Sequence, residues 1–441
     1  MSGLIIRNGK VICPATRRDE IADLWIEAGR FRTPLHEIPD GFDVFDATGL
    51  IVVPGFIDLH VHLRESIIEN PEVAETIKTG TEAAAVGGFT SVCAMPNTQP
   101  VNDSVEITRF MVERAKAEGA VRVFPIAAVT KSSAGEALTD FESLMATGAV
   151  GFSDDGKPVK TASLMREALA LARKLNTFVS DHCEDLLRTS QGVIHEGKIS
   201  RQLGVEGLSP EAEDSVVERD IHLAEETGGK VHISHLSTAG SLELVRRAKA
   251  RGVQISCEVA PHHFSLTDEA VLRFGANAKM KPPLRSQEDV DALLEGLSDG
   301  TVDAIATDHA PHPAREKERG LKAAPFGIIG LETAVALAIQ KLVQPGLVSW
   351  ARLIELFSTH PARILGRSDL GTLEAGALAD LTILDPSREW TFSVADSRSK
   401  SRNTPFEGWK FRGKVVATYV GGEMVFDGHK IHRPSAISGA L

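Results

Sequence analysis

The sequence predicts a (β/α)8 barrel accompanied by a small β-sandwich that both chain ends build, and three observations carry that expectation. Eight apolar, β-rich runs follow one another between residues 54 and 312 with helical patterns between them, the signature of βα units around a parallel sheet. Histidines and aspartates gather at the ends of these runs rather than in their middles. The two chain ends differ, holding short β-rich stretches broken by glycine turns.

Residues 1–53 open with "GLIIRNGKVI", an alternating stretch expected to form the N-terminal part of the sandwich. The catalytic barrel is expected over 54–365. Its strands are read as "GFIDLHVH" (55–62), "FTSVCAM" (89–95), "RVFPIAAVT" (122–130), "AVGFSDD" (149–155), "TFVSDHC" (177–183), "KVHISHLS" (230–237), "VQISCEVAPHH" (253–263) and "VDAIATDHAPH" (302–312). Between them, segments such as "ASLMREALALARKL" bring Leu164, Ala168 and Leu171 back at helical spacing, a stripe that would cover the outside of the sheet. Residues 366–441 carry "ADLTILDP" and "KVVATYVGGEMVFDG" and are expected to complete the sandwich, since termini often lie close together in a folded domain. The stretch "DSRSKSRNTP" (396–405) reads as a surface loop.

Composition narrows the class of function. With 42% hydrophobic and 24% charged residues over 441 positions, the chain is an ordinary globular one with enough apolar mass for a large core. A formal charge of −12 with no basic stripe argues against nucleic acid or an anionic membrane as partner. An anionic substrate would have to be drawn by a few local cations. Cys13, Cys93, Cys183 and Cys257 are scattered with no CxxC pair, which points to a reducing compartment, and no long apolar stretch suits a membrane span. A cytoplasmic protein is the resulting expectation.

The chemistry begins in "GFIDLHVHLRE" (55–65). Successive side chains of a strand point to opposite faces, so His60, His62 and Arg64 are expected on one face, with Val61 and Leu63 on the other. Two imidazoles one strand-step apart suit a divalent metal such as zinc, whereas an arginine cannot ligate and is placed to grip an anion. Further candidates end later runs: Asp154–Asp155 the fourth, His182 the fifth, His235 the sixth and Asp308 the eighth. Barrel enzymes collect their catalytic groups at these ends. Four histidines and two acidic positions at one end therefore read as a metal site. The strand period lets only one of Asp154 and Asp155 face it. His232, three positions before His235, is expected to face away; His262 and His263 are expected to support the site from behind, and Cys183 to be a buried structural thiol.

These residues resemble a known family. "GFIDLHVHLRE", "MPNTQPV", "FSDDG", "DHCED", "HISHLSTAGS", "PPLR", "ATDHAPH", "NTPFEGW" and "VVATYVGG" are similar to type I dihydroorotase, of the amidohydrolase superfamily of metal-dependent hydrolase barrels, across nearly the whole chain. The resemblance implies that His60, His62 and Asp308 hold one zinc and His182 and His235 a second, one or two ions per subunit. It makes Asp155 the bridge, where many relatives use a carbamylated lysine. Asp308 becomes the catalytic acid and base. His62, Arg64, Asn97 and His312 become substrate contacts, Arg64 and Asn97 at a carboxylate, and Phe326–Gly327 in "APFGIIG" a loop closing on the ring. The implied reaction is the reversible cyclisation of N-carbamoyl-L-aspartate to (S)-dihydroorotate and water in de novo pyrimidine biosynthesis. A homodimer and association with aspartate transcarbamoylase come with the same resemblance.

Two features depart from the family. After "HLRE" the loop "SIIENPEVAETI" is longer than usual, and Lys281 in "KMKPPLR" stands where the family commonly has a pocket asparagine. Such a lysine either pairs with a substrate carboxylate or turns outward. Two rival functions share much of this pattern. A hydantoinase or allantoinase would share fold and metals, but "HLRE" with "MPNTQP" favours a carboxylated ring. A catalytically inactive scaffold of aspartate transcarbamoylase would have lost ligands, and all six candidates are present.

Overall fold

A computed structural model describes residues 3–68, 72, 74–189 and 191–434. The alternating N-terminal stretches form β1 (Leu4–Cys13), β2 (Arg18–Glu27), β3 (Arg30–Arg32), β4 (Asp43–Asp46) and β5 (Ile51–Pro54). The barrel strands follow as β6 (Phe56–Val61), β7 (Phe89–Ala94), β8 (Arg122–Ala127), β9 (Gly151–Phe152) and β10 (Phe178–Asp181). After a two-stranded insertion of β11 (Ile194–His195) and β12 (Gly207–Leu208), the barrel resumes with β13 (Lys230–Ile233), β14 (Ile255–Val259) and β15 (Ala304–Ile305). The chain ends on β16 (Leu381–Thr391), β17 (Lys410–Val420) and β18 (Glu423–Phe426).

Hydrogen bonding joins the terminal strands into one eight-stranded sheet, in the order β18-β17-β16-β5-β1-β2-β3 with β4 on β1. The two chain ends meet where β16 runs antiparallel to β5, pairing Ile383 with Val52. The inward residues of these strands, among them Ile6, Val11, Leu24, Ile26, Val52, Leu381, Ile383 and Tyr419, form a core of their own.

The other eight strands run in the order β6-β7-β8-β9-β10-β13-β14-β15. A parallel bridge between Val61 and His309 closes the ring. Every residue of β6, β7 and β8 is buried, which is why these runs are continuously apolar rather than alternating. Helices shield the outside, α1 (Ile77–Val86), α2 (Val105–Glu118), α3 (Phe141–Thr147), α4 (Ala162–Lys174), α5 (Glu211–Thr227), α6 (Ala239–Ala250) and, after the short and wholly buried α7 (Pro261–Ser265) that follows β14, α8 (Gln287–Asp299). On α4 the fully buried stripe is Met165, Ala168, Leu169 and Ala172, with Leu164 and Leu171 on its margins. Side-chain oxygens of Ser104, Thr161, Thr238 and Ser286 cap helix starts, so the loops that leave the strands are pinned at their far ends.

The stretch 396–405 is not a surface loop. Ser397, Ser399, Ser401, Asn403 and Thr404 are buried, while Arg398, Lys400 and Arg402 point outward. The buried set is satisfied one by one: Ser397 Oγ donates to Glu332, Ser399 Oγ to Glu75, and Ser401 Oγ to the Ala74 carbonyl at 2.8 Å. Among the described residues no helix is long and apolar enough to cross a membrane. All four cysteines are buried and unpaired.

Candidate metal centre and substrate pocket

Asp155 is the hub of the barrel mouth. Its Oδ2 lies 3.4 Å from His62 Nε2. Its Oδ1 lies 3.3 Å from His60 Nε2, 3.5 Å from His235 Nε2 and 3.8 Å from His182 Nδ1. Asp308 Oδ1 approaches the same histidines from the other side, 2.9 Å from His62 Nε2 and 3.5 Å from His60 Nε2. Asp154 points elsewhere, accepting from the Thr130 amide at 3.0 Å and from the Thr130 hydroxyl. Three residues that leave strand ends here, Arg64 (φ 50°), His235 (φ 33°) and Asp308 (φ 45°), adopt left-handed backbone. Such conformations cost energy and aim side chains where a regular strand would not. Arg64 therefore reaches the site from a turn beyond the end of β6, not by strand alternation.

A second layer fixes three of the four imidazoles, the exception being His235, whose Nδ1 has no partner. His60 Nδ1 bonds Glu258 Oε1 at 2.7 Å, His62 Nδ1 bonds Asn97 Oδ1 at 2.9 Å, and His182 Nε2 bonds Glu184 Oε2 at 3.1 Å. Each pairing occupies one ring nitrogen and leaves the other for the centre, the arrangement that orients metal-binding histidines. Glu258 also holds His232 Nε2 at 3.1 Å. His232 thus points into the barrel beneath the site, contrary to the sequence expectation, because it joins the Glu258 carboxylate that supports His60. Burial raises the Glu258 carboxyl, but hydrogen bonds and charge from His232 and His60 bring it down to about 2. Burial likewise opposes ionisation of Asp155 and Asp308, and the surrounding histidines, His60 foremost, outweigh it and hold both well below the carboxylate range.

The donor set fits a divalent metal. His60–His62–Asp155, His60–His235–Asp308 and Asp155–His182–His235 each bring three ligand atoms within 4.8 Å of one another. His60 Nε2 and Asp155 Oδ1 are buried with no hydrogen-bond partner, which an inserted cation would supply. A further acidic group, Asp181 and Asp220 beside Cys183, already has its cation: Arg219 bonds both carboxylates, at 3.1 and 2.7 Å. Burial pushes the Cys183 thiol upward, as befits a structural cysteine.

The substrate side is lined by cations and unpaired donors. Arg64 is half-buried with its Nε enclosed and unpartnered, and His312 Nε2 is likewise enclosed and unpartnered. Burial first, then the charges of Arg64 and Lys317, push His312 down to about 3. Gly327 packs against it: at φ +153°, a Cβ there would sit 2.5 Å from the Ala310 carbonyl and 2.6 Å from His312 Cδ2. The Phe326 ring lies 4.4 Å from Lys279 Nζ and 5.3 Å from Lys281 Nζ. Lys281 is partly exposed, and its ammonium forms an ion pair with Glu184 Oε1 at 2.8 Å, so it backs the carboxylate that orients His182. Of the longer loop, Ile67 pairs with Gln99 at 3.0 Å, and residues 69–71 and 73 lie outside the described part.

Glu258, Glu184 and Asn403 escaped the sequence reading. Glu258 had a signal, an acid inside the apolar run "VQISCEVAPHH". Asn403 had one in the period-two pattern of "SRSKSRN". Glu184 had only its position two residues after His182.

Comparison with known proteins decides the family. A family profile described as Dihydro-orotase-like matches residues 49–241. The dihydroorotase of Solibacter usitatus (strain Ellin6076) is 48% identical over 431 residues, covering 97% of this chain and 99% of its own. That of Pelotomaculum thermopropionicum (strain DSM 13744 / JCM 10971 / SI) is 50% identical over 423 residues, covering 96% and 98%. The chain belongs to the dihydroorotase family. Among solved structures, D-hydantoinase (dihydropyrimidinase) from Thermus sp. superposes with a TM-score of 0.82 at 27% identity over 98% of this chain and 97% of that one. L-hydantoinase (dihydropyrimidinase) from Arthrobacter aurescens reaches 0.87 at 24% identity, covering 98% of each chain, a likeness of fold. The barrel with its companion sheet is thus an amidohydrolase architecture.

Proposed function

We propose that the protein interconverts N-carbamoyl-L-aspartate and (S)-dihydroorotate. One observation carries this reading over a hydantoinase or allantoinase: the guanidinium of Arg64 stands beside the Asp155 cluster with its buried Nε unpaired. A buried donor left without an acceptor is costly, and a ring bearing a carboxylate satisfies it where hydantoin would not. Asn97, whose Oδ1 holds His62, has its amide nitrogen left to join Arg64 at that carboxylate. His312, neutral at pH 7, offers Nε2 to the ring, and Phe326–Gly327 closes over it.

We assign zinc, one or two ions per subunit, to His60, His62, Asp155, His182, His235 and Asp308, where it would supply Lewis-acid polarisation of the ring carbonyl and acidify water. Asp308, ionised at pH 7, accepts the proton of the attacking water and delivers it to the amide nitrogen as the ring opens. Cyclisation reverses these transfers. The substrate dianion plus one proton gives the product monoanion and water, so each unit of falling pH should shift the equilibrium about tenfold toward ring closure. Four buried, unpaired cysteines suit the cytoplasm. The homodimer and the transcarbamoylase association are further proposals, which sedimentation of the chain alone and of its mixture with that enzyme would test.

The deciding experiment compares turnover of dihydroorotate, hydantoin and allantoin by the zinc-loaded protein. Dihydroorotate should be opened fastest by kcat/KM; preference for either uncharged ring would overturn the assignment.

A further inference from the structure

Two buried lysines near the pocket have no role in the chemistry just described. Lys317 ends a short helix, Ala314–Lys317, five residues beyond His312. Its Nζ donates to the carbonyls of Gly327 at 2.9 Å, Pro325 at 3.0 Å and Lys279 at 3.4 Å. Lys279 Nζ donates to the carbonyls of Ala324 at 2.7 Å and Lys322 at 3.1 Å, and lies over the Phe326 ring. Both residues are almost wholly buried, 6% and 2% exposed. Among the described residues neither makes an ion pair with a carboxylate.

That combination is unusual chemistry. A buried ammonium ordinarily faces a carboxylate, because desolvating an unpaired charge is costly. Here five backbone carbonyls, four of them from residues 322–327, take that place. This turn has no ladder of its own for those oxygens, and lysine, with three donors on a flexible stem, gathers them as a rigid arginine fork would not. Burial and Lys279 push Lys317 down to about 7, and burial and Lys281 push Lys279 down to about 8. The turn so gathered carries Phe326 and Gly327, and the Gly327 amide closes the knot on the Lys279 carbonyl at 2.9 Å.

We propose that Lys317 and Lys279 are positioning residues for the substrate pocket: their ammonium groups draw the carbonyls of the 322–327 turn together and hold Gly327 against His312 and Phe326 over the ring. The metal cluster does not depend on this knot. Removing it should therefore loosen the binding of the ring while leaving the metal chemistry in place. The kinetic part of the inference rests on the dihydroorotase reading; the conformational part does not.

The test uses the zinc-loaded full chain with Lys317→Met and, separately, Lys279→Met. KM for dihydroorotate should rise about tenfold or more with kcat changed less than about threefold, the mark of lost ground-state binding. Metal content should match the wild type. Amide hydrogen exchange at Gly327 should speed by about tenfold or more, with exchange in β13 unchanged. An unchanged KM with unchanged Gly327 exchange would overturn the proposal, as would a fall in kcat and metal content at constant KM. Should Lys317→Met fail to fold, Lys279→Met and Lys317→Gln carry the same comparison. If the wild type does not open dihydroorotate, the proposed function fails, and the positioning role stands or falls on Gly327 exchange alone.

Discussion

Asp155 and Asp154 are neighbours in sequence with opposite fates. Asp155 presents one oxygen to His62 and the other to His60, His182 and His235, so Asp155→Ala should empty at least the His182–His235 subsite, as read by metal content after dialysis. Asp154→Ala should keep the metal but lose about 1–3 kcal/mol, because the buried Thr130 amide and hydroxyl lose their acceptor. Metal loss confined to the Asp154 variant would reverse the assignment. Strand periodicity could say only that one of the two faces inward; the Thr130 bond that decides which spans 24 residues and is invisible locally. His312 makes a pH-dependent statement. Its imidazole is pushed from 6.5 to about 3 in the folded chain, so the unfolded chain binds more protons between those values. The stability contributed by keeping it neutral is complete above about 6.5 and drains away as pH falls toward 3. Replacing it by asparagine, which does not titrate, should flatten the acid limb of a melting-temperature profile by comparison with the wild type. Parallel profiles would show that His312 titrates normally.

At the scale of elements, the barrel strands were readable because a strand covered on both faces is apolar throughout, and each helix because its buried stripe has its own period. The segment 396–405 was not, since its composition is that of a solvated loop. Its alternation of serine or asparagine with charged residues was the true signal: the small polar residues turn inward to carbonyls and carboxylates, and the charged ones face water. Asn403 shows what this arrangement does. Its Oδ1 accepts from the His312 amide at 3.0 Å while its Nδ2 donates to the Ala310 and Gly327 carbonyls at 2.9 and 3.0 Å. One carboxamide thus ties the loop after β15 to the turn that carries Gly327. Asn403→Asp keeps the acceptor and loses the donors, so it should raise KM and cost about 1–3 kcal/mol. Equal KM and equal resistance to urea would mean that the C-terminal segment merely lies against the barrel.

Across the whole molecule, the companion sheet and the barrel share a buried ion pair. Arg122, in β8, is fully buried, and its Nε and Nη2 each bond the Asp380 carboxylate at 2.9 Å. Asp380, just before β16, also accepts from the Gly421 amide through the same carboxylate at 2.7 Å, and through its carbonyl from the Gly55 amide at 3.0 Å. The partners stand 258 residues apart in sequence, and neither "RVFPIAAVT" nor "ADLTILDP" announces that its charge will be buried, which is why no local pattern reveals them. A bidentate pair with its remaining valences satisfied resists disruption from one side only. Arg122→Met leaves a desolvated carboxylate and should cost about 3–5 kcal/mol, whereas Arg122→Met combined with Asp380→Asn should cost less than the sum of the two single changes. Because the pair sits where both ends of the chain meet the barrel, the Arg122 variant should also split urea unfolding into two transitions, the sheet yielding before the barrel. A single transition, with additive single-variant costs below about 1 kcal/mol, would show that sheet and barrel are held together by their apolar contact instead.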